Sequence, residues 1–106
     1  MTIGLSVTHK GSGESQFLPV CTTQRFREVW EPAADELGLE MISVLPVLFV
    51  TEEYKSQFLG EIEKLTQWAE ANSSDNNYLS VMLNTLREIH NIVDSTDLES
   101  HEISIG

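Results

Sequence analysis

Between Phe17 and Val50 the chain leaves almost no residues over for loops, and that economy limits what it can fold into. Phe17-Leu18-Pro19-Val20-Cys21 is a short apolar run, and Thr22 and Thr23 follow it with hydroxyls able to cap a helix. A helical pattern then extends to Gly38, and a second apolar run occupies Leu39 to Val50. Strand, helix and strand signals in immediate succession predict an α+β domain and are incompatible with a purely helical bundle.

The helical part of this stretch is amphipathic. At 100° per residue Phe26, Val29, Trp30, Ala33, Ala34 and Leu37 share an arc of about 140°, the width of a stripe that faces a core. Arg27, Glu28, Glu31 and Asp35 fill the opposite side, with Arg25 and Glu36 at the flanks. Pro32 also lies on the outer side. It removes one backbone hydrogen bond, so a kinked helix, or two short ones meeting there, is expected. Gly38 can take the left-handed conformation without steric cost and is the natural stop.

Before this stretch, Ile3, Leu5 and Val7 alternate with small or polar residues, the period of a strand buried on one face. The polar loop from His9 to Ser15 can join that strand to Phe17–Cys21 as a hairpin. Its Gly-Ser-Gly lacks the Gly-Lys-Ser/Thr ending and the following helix of a phosphate loop. Pro19 cannot donate to a ladder, so an edge strand, or a short strand that ends there, is expected.

After Gly38, residues 39–45 alternate as a strand does, and Thr51 stands ready to cap a second helix with Glu52 and Glu53 in its first turn. Tyr54, Phe58, Ile62, Leu65, Trp68 and Ala69 form its apolar stripe, which ends near Asn72. Asp75 or Asn76 can cap a third helix running to about Val93, whose apolar arc of about 200° is wider than one sheet face requires. Either that helix is covered on two sides within the chain, or it carries a dimer interface. The Ile103, Ile105 alternation reads as a last strand at 101–105 or as a trailing tail.

The expected architecture is therefore one α+β domain over residues 1–106, with a small mixed β-sheet of three to four strands and three helices packed largely on one face. Strands are expected near 2–8, 16–21, 39–45 and 101–105, with the second and third parallel across a right-handed first-helix crossover.

Charge does more than motif to bound the function. Seventeen acidic residues against six basic ones give a formal charge of −11, spread from Glu14 to Glu102. Such a field repels phosphate backbones and anionic lipid, and the scattered Lys and Arg residues form no cluster to offset it, so neither nucleic acid nor membrane is expected as a partner. A partner with a basic surface fits better. The single Cys21 cannot form an internal bridge, and no apolar run approaches the roughly 20 residues of a membrane span, so a reducing, cytoplasmic setting is expected.

Catalytic and metal readings find little support. His90 and Asp94 have i, i+4 spacing, with Glu88, His101 and Glu102 nearby, but no zinc-type spacing completes them. Cys21 with His9 or His90 as base would need convergence in space. Neither a catalytic centre, a cofactor nor a metal is expected.

In size, charge and lack of motif the chain is similar in kind to toxin-neutralising immunity proteins and other stoichiometric inhibitors, which cover a basic active site with carboxylates. The resemblance implies a non-enzymatic binding domain in a bacterial cytoplasm. Glu28, Glu31 and Asp35 on the first helix, joined by Glu36 and Glu40, are the expected contact residues. The alternatives are a homodimeric scaffold or regulatory subunit associating through the third helix, and an enzyme of unrecognised type.

Overall fold

The computed structural model describes residues 2–44, 47–75 and 77–106, with the backbone alone at Asp75. The expected cap at Asp75 or Asn76, and the Leu45-Pro46 part of the second apolar run, lie outside the described residues.

Three of the four strands form where alternation or a short apolar run predicted them: β1 (Thr2–His9), β2 (Ser15–Thr22) and β4 (His101–Ile105). The sheet order is β2-β1-β4-β3, where β3 is Leu48–Val50, and each neighbouring pair is antiparallel. The expected mixed sheet is thus corrected to an antiparallel one, and no crossover joins β2 to β3, which occupy opposite edges. Pro19 sits in an edge strand as its missing N–H requires. A bulge lies beside it, because Ile3 faces Cys21 while Gly4 faces Pro19, leaving Val20 extra.

The expected strand at 39–45 does not form. Leu39 is extended, and a short helix, α2 (Glu40–Ser43), follows at once, burying Leu39, Met41 and Ile42. A buried carboxylate from a later helix decides this local choice, as described below. Helix α1 spans residues 23–37: Thr23–Arg25 and Glu31–Leu37 are α-helical, and Phe26–Trp30 is a π-turn in which the Glu31 N–H bonds the Phe26 carbonyl. The widened turn immediately precedes Pro32, so the helix accommodates the proline without breaking. Thr22 caps α1 by accepting from the Arg25 N–H at 3.1 Å, and Gly38 (φ 71°) ends it.

Helices α3 (Lys55–Asn72) and α4 (Asn77–Ser95) pack on each other more extensively than any other helix pair. α3 begins at Lys55 rather than at a Thr51 cap, because the Thr51 carbonyl accepts the Tyr54 N–H and closes a turn first. The described residues thus hold four helices rather than three, besides a single 3₁₀ turn at Ser73–Asp75. The breadth of the α4 arc is absorbed within the chain: Leu79, Met82, Leu83, Leu86, Ile89 and Val93 are all buried, and Val81 stays exposed.

One hydrophobic cluster joins the inner sheet face (Ile3, Leu5, Val20, Val50, Ile103, Ile105) to Trp30, Phe58, Leu65 and Leu86 on the helices. Trp30 is buried with its indole N–H donated to the Tyr78 hydroxyl at 2.8 Å, so its one polar atom has a partner. The outer sheet face is different. Phe17, Ser6, Ser104 and Phe49 form one row across all four strands, with aromatic rings at the edges and small residues in the middle. The Phe17 ring lies over Gly4, where a Cβ would come within 2.0 Å of it.

Candidate interaction surface

All five acids singled out on and after the first helix are exposed: Glu28, Glu31, Asp35, Glu36 and Glu40. Glu28 accepts a hydrogen bond from the Gln24 amide one turn earlier at 2.9 Å. No hydrogen bond or ion pair joins the other four carboxylates to any described residue. Among the described residues their charge is thus not met by any direct ion pair. Glu40 is set apart from the helix by the left-handed turn at Gly38, and its position depends on α2.

Glu61, on α3, is what holds α2 in place. It is 7% exposed, and its carboxylate accepts from the backbone N–H of Met41 (2.9 and 3.2 Å to its two oxygens), from that of Ile42 (3.1 Å) and from the Gln57 amide (3.1 Å). The side chain of one helix thus supplies the cap that the first turn of another lacks locally. Sequence reasoning passed over Glu61, although a signal existed: on the helical wheel it falls between Trp68 and Leu65, inside the apolar stripe. A carboxylate there must find donors or stay out of the core.

With α2 fixed, Glu40, Met41, Val44, Leu48, Phe49 and Tyr54 line an open cavity of about 320 Å³ beside β3. Val44, Phe49, Tyr54 and Val47, which immediately precedes β3, are between 46% and 71% exposed. They make up four of the six exposed large hydrophobic side chains among the described residues, the others being Phe17 and Val81. Such a concentration at one end of a sheet is the kind of patch that marks an interface. Tyr54 was expected in the stripe of the second helix; with α3 starting a residue later it lies on the rim instead.

The other candidates are kept apart. His90 meets Glu63 across the α3–α4 groove at 3.2 Å. His101 stands opposite His9 in the β1–β4 register, their rings edge to face at 4.9 Å, above a polar cleft of about 840 Å³ that also takes in Glu14 and Asp97. The His9 Nδ1 accepts from the Ser12 backbone N–H at 3.0 Å, and the His101 Nδ1 lies 2.8 Å from the Ser100 hydroxyl and 3.3 Å from the Asp97 carbonyl. Among the described residues no three His, Cys, Asp or Glu side chains come together to hold a metal. Burial pushes the Cys21 thiol up to about 11, which leaves it protonated and a poor nucleophile at neutral pH. Burial also raises the neighbouring Tyr78, against the opposing pull of the Trp30 hydrogen bond and the Arg25 guanidinium, which lies 4.6 Å from the ring centre.

No helix among the described residues is long and apolar enough to cross a membrane. Comparison with known proteins returns no matching family model, no similar curated protein and no similar solved structure, so the functional argument rests on the chemistry of the surface itself.

Proposed function

We propose that this chain is a non-enzymatic, acidic protein-binding domain, an inhibitor or immunity-type factor that covers the basic surface of a partner in a cytoplasmic setting. One observation carries the reading: the carboxylates of Glu31, Asp35, Glu36 and Glu40 have no hydrogen-bond or ion-pair partner among the described residues, and the last of them lines an apolar cavity. The two halves of that surface have different tasks. Free carboxylates on a chain of charge −11 raise the encounter rate with a cationic protein and disfavour anionic competitors. The exposed Phe49 and Tyr54 provide aromatic area that water leaves on contact, which governs how long a complex lasts.

The test is co-purification from the native host at low and high salt, with wild type and a Glu31→Lys/Asp35→Lys/Glu36→Lys variant. The expected result is a basic protein that is captured at low salt, released as salt rises and lost with the triple variant. Capture that is indifferent to both salt and the lysines overturns the reading, as does a chain that runs alone at every salt concentration.

A further inference from the structure

The hydrogen-bonding phase of the sheet identifies what the free edge at β3 offers. Gly4 and Gly106 exchange both N–H···O bonds (3.1 and 3.0 Å), so they are a hydrogen-bonded antiparallel pair. Alternation along β4 then turns the backbone groups of Ser104 toward β1 and those of Ile103 and Ile105 toward β3. The register pairs Ile105 with Leu48 and Ile103 with Val50, so these two β3 residues bond to β4. Phe49, opposite Ser104, turns its N–H and C=O away from the sheet. No described residue bonds to either group.

An edge strand left like this is a template for a further strand, and chains commonly guard such edges with Pro, Lys or a bulge. The opposite edge, β2, has Pro19 and a bulge. The three residues of β3 carry neither; the cavity of Glu40, Met41, Val44 and Tyr54 lies beside them instead, with Glu52 and Glu53 exposed in the turn that follows. Lys55, at the start of α3, donates to the Asp94 carbonyl at 3.3 Å. A second copy of this chain would bring another charge of −11 to an edge already lined with acids, which argues against self-pairing.

We propose that β3 is a strand-addition site for an extended basic segment of a partner protein. The segment exchanges backbone hydrogen bonds with Phe49, places one apolar side chain in the cavity and sets a Lys or Arg against Glu40. The inference rests on the protein-binding reading and gives it a mode.

The probe is a fluorescein-labelled Arg-Val-Arg-Phe-Arg-Val-Arg peptide, compared with a twin of equal charge and side chains that is N-methylated at its three central residues. Because the modification sits on the peptide, the protein's folding is not at issue. Anisotropy is expected to show the parent binding at least tenfold more tightly than the twin. Glu40→Gln should weaken the parent about threefold, and the Phe49 amide should show the largest NMR shift change on binding. Equal binding of parent and twin, binding of neither, or shift changes confined to the outer face of α1 overturns the edge assignment. The last of these, together with a partner captured in a salt-sensitive way, would sink the strand-addition site while leaving the protein-binding reading intact.

Discussion

Replacing Glu61 tests the device that shapes the candidate surface. In Glu61→Ala the amides of Met41 and Ile42, both in buried residues, lose their acceptor, and the Gln57 amide loses a charged partner. Orphaning a buried donor costs about 1–3 kcal/mol, and hydrogen bonds to charged groups lie at the upper end of the usual range. Water entering the vacated space recovers part of this, so the expected loss is about 3–4 kcal/mol, a large share of the 5–15 kcal/mol typical of a domain. Glu61→Gln is the control. Its carbonyl oxygen can still accept from both amides, and Gln57 can reverse its own amide to meet the new NH₂ group, so only the charge assistance is lost, at about 1 kcal/mol. Urea denaturation of the three proteins gives the free energies, and hydrogen exchange at Met41 and Ile42 shows where they act. A Glu61→Ala loss below about 1 kcal/mol with unchanged exchange at those two amides would refute the account, because α2 would then be standing without its cap.

Two further outcomes follow from the same structure. Cys21 should react with iodoacetamide at pH 8 more slowly than in the unfolded chain, with the rate climbing toward pH 11. Because its folded value of about 11 lies above the ordinary 9.0, the unfolded chain loses the proton first, so the stability tied to the neutral thiol is full below pH 9 and is lost as pH rises toward 11; a rate equal to that of the denatured protein at pH 8 contradicts the burial. Gly4→Ala should cost about 1 kcal/mol by pushing the Phe17 ring off the strand, and that cost should largely vanish in a Phe17→Ala background; additive losses in the double mutant would show that the ring is not the obstacle.

How far the sequence revealed this molecule depended on the range over which each choice was made. Alternation and short apolar runs are local properties, and β1, β2 and β4 appeared within a residue of where Ile3, Leu5 and Val7, the run Phe17–Cys21, and Ile103 and Ile105 placed them. The stretch from Leu39 to Val50 was misread because its outcome depends on Glu61, about twenty residues away, whose carboxylate turns Met41 and Ile42 into the first turn of a helix. The π-turn at Phe26–Trp30 was invisible to a wheel drawn at a fixed 100°. At the candidate surface, exposure of the acids was legible because charged residues opposite an apolar stripe face water. The apolar half was not: Phe49 and Tyr54 look like core residues in sequence, and only the edge position of β3 and the late start of α3 bring them to the surface.

The strand order carries a consequence for how the molecule is made. β4 is the last strand along the chain but lies between β1 and β3. As the polypeptide leaves the ribosome at about 5–20 residues per second, the β1–β2 hairpin and the helices can form early, while β3 waits with no neighbour on either side. The Gly4–Gly106 closure joins residues from opposite ends of the sequence, a contact of high sequence separation and therefore slow to find. During that interval the apolar side of β3 and both its edges are open. The surface proposed here for recognition is thus also the last part of the sheet to be protected at birth, when a chaperone or a partner present during synthesis would find it most exposed.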